Sequence, residues 1–384
     1  MELILKQYDI PLLRFSATND SSTPEIEVHW INEDQRHLLP LDMELSPEGI
    51  SRWMRRRTIP RNRAYVNRLL AKCGLNANRP MGILALCKGL SVDDSYWVVE
   101  EGFEGTFEKY NLFENRFSEV LALIAFTGYG SRNRSSLASS PEFTTNGMLP
   151  KCWRRISGKV TLYKGGTDGS YNTGAEPYCE YYAAQVAAAM GIDAIPYGLS
   201  QWKGRLCSTC ELFTDIDHAY MPIGNLVQRG GFDAVAVYYE NLGEPFQKAF
   251  RDMLVFDAVI CNTDRHYGNF GFMIDNKTNT IAAPAPLFDH GNSLFNQAGP
   301  EDYESPEAFQ QYIDTLVPCV YDDFFATAKR FMTDENREQL RKLLGFRFKR
   351  HVRYNLPPKR LKLMEEQVRK RAMRLLENKE YAQD

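Results

Sequence analysis

Apolar and polar side chains alternate along Glu25-Ile26-Glu27-Val28-His29-Trp30-Ile31, the period of a half-buried strand. From about Ser46 to Ala71 the spacing becomes helical, with a break at Pro60, where a missing donor and a ring clash stop a helix. A second helical pattern, from about Asn111 to Ala125, carries Leu112, Phe113, Phe117, Val120, Leu121, Leu123 and Ile124, a set that belongs in a core. Residues 128–147 are rich in Ser, Thr and Gly and have no period, so they read as a linker or a mobile functional loop. From about 148 to 215 short strands surround one helix. Lys159–Lys164 is strand-like, with Lys164 on the face of Val160 and Leu162, and a helix begins near Pro177 and stops at Gly191. Beyond about residue 245 helical patterns dominate apart from one hairpin. Its outgoing strand is Phe270 to Ile274, its turn Asp275-Asn276-Lys277-Thr278-Asn279, and its return strand Ile281 to Phe288, which Pro284 and Pro286 make irregular or an edge. No internal repeat is present. The predicted layout is an N-terminal accessory domain (1–130), a small strand-rich lobe (131–215) and a larger helical lobe (216–384).

Composition narrows this picture. A chain of 384 residues has room for two to three domains of roughly 150 residues each. Lys and Arg number 46 against 49 Asp and Glu, a net charge of -3, so the whole molecule offers no positive field for a polyanion and any such site must be local. Arg52, Arg55, Arg56, Arg57, Arg61, Arg63 and Arg68 cluster around the Pro60 break, as a nucleic-acid patch or as a solvated, internally paired face. No apolar run approaches the roughly 20 residues that span a bilayer, and the first residues lack the layout of a signal peptide. The expectation is a cytoplasmic protein with no membrane contact. The eight cysteines are scattered, as reduced thiols are. Cys207 and Cys210, the one close pair, read as packed thiols on or beside a strand, or as a metal or redox pair.

The chemistry concentrates in Val259–Ile274, where an apolar helix runs into polar residues and then a strand. Asp264 and Asn269 have the separation of the D-x-x-x-x-N kinase catalytic loop. The hairpin returns the chain to Asp289, so that Asn269 and Asp289 would face one pocket as two oxygen ligands for Mg²⁺, or stand at the solvated acidic ends of an ordinary hairpin. Asp289-His290-Gly291 has the D-x-G form of the kinase metal-binding turn, with His where Phe usually stands. Upstream, Lys164 on an apolar face needs an anion, either a carboxylate or a nucleotide phosphate. Glu180, on the helix that follows, is the kinase partner for such a lysine, or a first-turn acid favoured by the helix dipole. The turn Gly165-Gly166-Thr167-Asp168-Gly169 fits neither a P-loop nor a dinucleotide fingerprint. His266 and His290 lack the partner four residues away that a helical zinc site needs.

Taken in order, Gly147-Met148-Leu149-Pro150-Lys151 after the Ser/Thr-rich stretch, Lys164, Cys179-Glu180 ahead of Gly191-Ile192, Asn262-Thr263-Asp264-Arg265-His266 with Asn269-Phe270, and Asp289 resemble the HipA-like serine/threonine kinases of bacterial toxin-antitoxin systems. The resemblance covers roughly residues 130–350. Asp264-Arg265-His266 and Asp289-His290-Gly291 look more like phosphatidylinositol-kinase-type loops. The resemblance implies an α+β, bilobal protein-kinase-like fold with a small N-terminal accessory domain, and ATP-dependent transfer of a phosphoryl group to a Ser or Thr hydroxyl of a protein substrate. ATP and Mg²⁺ are the implied cofactors. Asp264 would act as base or orienter, Asn269 and Asp289 would bind Mg²⁺, and Lys151 and Lys164 would hold phosphates with Glu180 behind Lys164. Glu211-Leu212-Phe213 would supply hinge backbone to adenine, and His266 would stabilise transferring charge or cap its loop. It further implies a growth-arresting toxin and a DNA-binding antitoxin as partner, with no direct contact to nucleic acid. Ser135, Ser136, Ser139, Ser140, Thr144 and Thr145 are the candidate autophosphorylation sites, with Arg132, Arg134 or Lys151 to receive the new charge. A catalytically silent kinase-like module, or a kinase for a small molecule or lipid head group, are the competing readings.

Overall fold

The alternation at the start of the chain becomes an antiparallel sheet in the computed structural model, which describes residues 1–18, 24–130, 140–169 and 173–377. Its strands are β1 (Glu2–Gln7), β2 (Ile10–Ala17), β3 (Ile26–Ile31) and β4 (Tyr96–Glu100), in the order β3-β2-β1-β4. One face buries Leu3, Leu5, Leu13 and Phe15 with Ile50, Trp53 and Met54 of the Pro47–Arg56 helix. Ser46 starts that helix by accepting the Gly49 N–H at 3.1 Å, a side-chain cap. The helix ends before Pro60 and a new one forms at Val66–Lys72, as the proline requires.

The next helix is shorter than its pattern. It spans Glu119–Thr127, because the Asn111 side chain accepts the Phe113 and Glu114 N–H groups and donates to the Phe107 and Glu108 carbonyls. A side chain bonding backbone in this way closes a turn where a helix would otherwise run. Beyond it, β5 (Lys151–Ile156) and β6 (Lys159–Gly165) form an antiparallel hairpin that sets Lys151 opposite Lys164. The pair β7 (Gly198–Trp202) and β8 (Arg205–Glu211) is also antiparallel. Then β9 (His218–Pro222), β10 (Gly271–Asp275) and β11 (Thr280–Pro284) make a three-stranded sheet in the order β11-β10-β9. The return strand stops at Pro284, short of the expected Phe288, since a proline has no N–H for the ladder.

Contacts divide the chain into two compact units that do not follow sequence order: Met1–Lys164 with Glu211–Met221 and Phe272–Ala282, and Gly165–Cys210 with Pro222–Gly271 and Ala283–Asp384. In the first unit the N-terminal region is tied to the β10–β11 turn. Asn279 donates to the His37 and Leu39 carbonyls at 2.8 and 2.7 Å, and Gln7 donates to the Asn276 carbonyl at 2.6 Å. Three members of the arginine cluster are internal braces. Arg57 is buried against Asp94 (2.7 and 2.8 Å), Arg56 bonds Asp42 at 2.8 Å, and Arg63 is fully buried against Glu142. Arg52, Arg55, Arg61 and Arg68 stay exposed.

In the second unit the Glu176–Met190 helix stops at Gly191, whose φ of 80° a side chain would strain. The Phe246–Ile260 helix buries its whole C-terminal half and ends at Cys261 in the left-handed region, φ 53°. Cys207 and Cys210 both lie on β8, and Cys207 Sγ donates to the Ser200 carbonyl at 3.4 Å. Among the described residues no group of three or more His, Cys, Asp or Glu side chains is placed to hold a metal, and no helix is long and apolar enough to cross a membrane.

Candidate active site

The polar segment after the Phe246–Ile260 helix is held from below by one ion pair. Arg265 and Asp257 are both buried and meet through two hydrogen bonds, Nε to Oδ2 at 2.9 Å and Nη2 to Oδ1 at 3.0 Å. Burial disfavours the guanidinium charge, yet the Asp257 carboxylate holds Arg265 above its ordinary range. The remaining Arg265 nitrogen, Nη1, donates to the carbonyls of Asn269 (3.1 Å) and Phe288 (2.7 Å). Nη2 also lies 3.1 Å from His290 Nδ1. A single side chain therefore draws the residues at 269 and 288–290 together, as the hairpin reading expects. Its five donors in a rigid fork are what make this possible. Neither Arg265 nor Asp257 is visible in the sequence as more than a motif letter and a helix residue. A carboxylate in an otherwise apolar helical run is the signal that marks Asp257.

Around that pair the loop is set by short-range bonds. The Asn262 side chain donates to Asp257 Oδ1 at 3.1 Å and accepts the Asp264 N–H at 3.1 Å. Asn269 Nδ2 lies 3.4 Å from the Asp264 carbonyl, which leaves its amide oxygen for other work. Asp264 is half-buried, and its Oδ2 accepts from Asn292 Nδ2 at 2.8 Å. His266 is exposed, and its Nδ1 accepts the Gly268 N–H at 3.0 Å, so the ring caps its own loop.

Asp289 takes a left-handed backbone, φ 58°, uncommon for a side chain other than glycine. Its N–H donates to the Tyr197 hydroxyl at 3.1 Å, and burial, followed by the Glu180 charge, keeps that phenol well above its ordinary range and so neutral. Glu180 itself is buried and accepts the His290 N–H at 2.7 Å. Because the helix starts at Glu176, Glu180 is not a first-turn acid. Glu176 has that place and bonds the Thr167 hydroxyl at 2.7 Å, which closes the Gly-rich turn.

The other predicted residues lie in the first unit. Lys151 and Lys164 are both buried, on neighbouring strands. Lys151 Nζ donates to the Asn146 carbonyl at 2.9 Å and lies where a side chain on Gly147, φ 89°, would collide with it. Glu211 is exposed and pairs with Lys159 at 2.7 Å, so only its backbone is available as a hinge. Leu212 N–H is already bonded to the Val160 carbonyl at 2.9 Å. Phe213 packs edge-on against Tyr220. Of the candidate hydroxyls, Ser135, Ser136 and Ser139, with Arg132 and Arg134, lie outside the described residues. Ser140 and Thr144 are buried, and Thr145 Oγ1 is bonded to the Pro141 carbonyl and Trp153 Nε1.

No family model matches the chain. The serine/threonine-protein kinase CtkA of Helicobacter pylori (strain J99 / ATCC 700824) is 27% identical over 143 residues, 34% of this chain and 43% of that protein, so the match spans less than half of this curated relative. Among solved structures, HipA from the Shewanella oneidensis MR-1 HipA, HipB and operator DNA complex matches over 97% of both chains, with a TM-score of 0.52 at 13% identity. A Helicobacter pylori proinflammatory kinase CtkA matches over 60% of this chain and 90% of its own, with a TM-score of 0.48 at 16% identity. The fold is mixed α+β and similar to that of HipA. The resemblance to HipA-like kinases read from the residues stands at that level.

Proposed function

We propose that this chain is an ATP-dependent phosphotransferase acting on a Ser or Thr hydroxyl of a protein. The observation that carries the reading is the Arg265–Asp257 pair, which brings the Asp264–Asn269 loop and the Asp289 turn together. An amide oxygen at Asn269 and a carboxylate at Asp289 form the hard-oxygen set that suits Mg²⁺, which would neutralise phosphate charge when bound. In transfer, the acceptor oxygen bonds the γ-phosphorus as the bond to the bridging oxygen of the departing ADP breaks, and the hydroxyl proton passes to Asp264. Positioning and charge neutralisation supply most of the catalysis in such chemistry. Lys151 and Lys164 hold nucleotide phosphates, Glu180 orders the Asp289 turn through the His290 N–H, and Glu211 and Phe213 offer backbone to adenine. His266 caps its loop.

The fold likeness to HipA, solved with HipB and operator DNA, supports a DNA-binding antitoxin as partner and a toxin role in the cytoplasm. Autophosphorylation, if it limits activity, falls to Ser135, Ser136 or Ser139, since Ser140 and Thr144 are buried and Thr145 is engaged. The division into accessory domain, small lobe and large lobe is part of the same reading. The test is incubation of purified protein with labelled ATP and Mg²⁺, followed by mass spectrometry of the protein and of a bacterial lysate. Phosphopeptides that vanish with Asp264→Asn are the expected result, and their persistence refutes the assignment.

A further inference from the structure

The segment after Asp289 holds more backbone strain than any function so far assigned to it needs. Asp289, Leu294 and Phe295 all have left-handed φ values, 58°, 49° and 63°, although none is glycine. Such conformations persist only where surrounding contacts over-determine them, and they gather at functional sites. Here the contacts are plain. Leu294 N–H donates to the Ile260 carbonyl at 2.7 Å, and Phe295 packs edge-on against Phe309 with centroids 5.0 Å apart. Arg360 Nη2, from the Pro358–Leu376 helix, donates to the carbonyls of Phe295 and Asn296 at 3.1 and 3.0 Å.

What this scaffold fixes is Asn292. Its carbonyl accepts both the N–H and the hydroxyl of Thr263 at 3.1 Å, which clamps it to the residue before Asp264. Its Oδ1 accepts from Asn296 Nδ2 at 2.9 Å, and its Nδ2 donates to Asp264 Oδ2 at 2.8 Å. The direction of this chain is forced. An ionised carboxylate only accepts, so the NH₂ of Asn292 must face Asp264 and its oxygen must face Asn296. The carboxylate torsion of an aspartate is otherwise broad. Among the described residues, Asn292 makes the one side-chain hydrogen bond to the Asp264 carboxylate.

We infer that Asn292 is a positioning residue: it occupies Oδ2 of Asp264, stops the carboxylate from rotating, and leaves Oδ1 turned to the acceptor hydroxyl. The inference rests on Asp264 having the role proposed above. Because Asn292 acts through Asp264 and not through the nucleotide, its loss acts on turnover and spares ATP affinity. Misplacing a reacting group by about 1 Å costs on the order of 100-fold.

The experiment compares wild type with Asn292→Ala, Asn292→Asp and Asn292→Ser, measuring transfer from labelled ATP to the protein itself, to dephosphorylated casein and to water. ATP affinity is measured by calorimetry and folding by thermal melting. Asn292→Asp keeps the shape but cannot donate, and sets a second negative charge against Asp264. The expected result is a fall in kcat of about 30-fold or more for the Ala variant and further for Asp, with ATP affinity within about twofold and the melting temperature preserved. The Ser variant, which keeps a donor, recovers part of the loss. Turnover of Asn292→Asp within about threefold of wild type overturns the inference, as does a parallel loss of turnover, ATP affinity and melting temperature, which would mark a structural role. Asp264→Asn separates the two readings. If it abolishes transfer while Asn292→Asp does not, only the inference fails; if it does not, or if wild type transfers nothing, the proposed function fails and the inference with it.

Discussion

Arg63 and Arg265 are the same device placed in two settings. Each is buried, each meets a buried carboxylate, and each also donates to backbone carbonyls. Arg63 bonds Glu142 and the carbonyls of Glu142 and Lys151, and Glu142 in turn accepts the Trp153 N–H at 2.8 Å. Burial raises the Glu142 carboxyl above its ordinary range, and the Arg63 charge opposes that rise. These bonds hold the start of β5 and the buried faces of Trp153 and Phe143, so the pair braces a core. Arg265 instead holds two loops that carry the candidate residues Asp264, Asn269 and Asp289. A buried arginine pair is therefore no sign of a site by itself. What it holds decides.

The sharpest way to break this comparison is to remove the side chains that Arg265 arranges. Asp264→Asn and Asp289→Asn should each lower phosphoryl transfer by about 1000-fold or more with the melting temperature nearly unchanged. Transfer within tenfold of wild type in either variant would detach that residue from the chemistry.

Next come the arginines. Taking one partner from a buried pair costs about 3–5 kcal/mol, so Arg63→Met and Arg265→Met should melt at similarly lowered temperatures. At a temperature where both are folded, Arg265→Met should lose about 100-fold in turnover and Arg63→Met less than about fivefold. Equal losses of turnover would erase the distinction.

A smaller effect is expected at the strand lysine. ATP with Mg²⁺ should raise the melting temperature by mass action, and Lys164→Ala should reduce that rise. Matching shifts in both proteins would take Lys164 out of the phosphate site.

The smallest prediction concerns the brace region alone. Asp93 is pushed from 3.8 to about 6, first by burial and then by the neighbouring Asp94 charge. Between those values the folded state holds a proton that the unfolded state releases, so stability falls as pH rises through the window and the penalty is complete above about pH 6. Asp93→Asn should therefore raise the melting temperature by about 2–5 °C at pH 8 and leave it unchanged near pH 4. An equal gain at both pH values would contradict the assigned cause.

Much of the local structure is legible in the sequence. Ser46, Pro177 and Gly191 mark helix ends through their own backbone chemistry, and the bounds of β3, β6 and β10 fall within a residue or two of the strands read from the sequence. The helix expected from Asn111 failed because an amide side chain competed with the backbone, which hydrophobic periodicity does not register. The return strand failed at Pro284 for the donor it lacks. At the candidate site, Asp264, Asn269 and Asp289 are proposed from spacing and a hairpin, whereas the bracing part of Arg265 and the partners Asp257 and Asn292 come from the tertiary structure. Asp264 and Asn269 stand in one linear motif and Asp289 opens a second. Arg265 and Asn292 matter through partners more than 20 residues away, Phe288 and Asp264, and Asp257 matters through Arg265.

The sequence by itself determined which polar residues stand at fixed spacings in the candidate loop and where the backbone must turn, because residue type, spacing and the limits of Pro and Gly are local properties. Only the tertiary structure decided which arginines are braces, which loops a guanidinium ties together, and which way the Asn292 amide must face. Those outcomes depend on desolvation and hydrogen-bond geometry between residues as distant as Arg63 and Glu142, or Arg360 and Asn296, and burial of that kind exists only once the chain has folded.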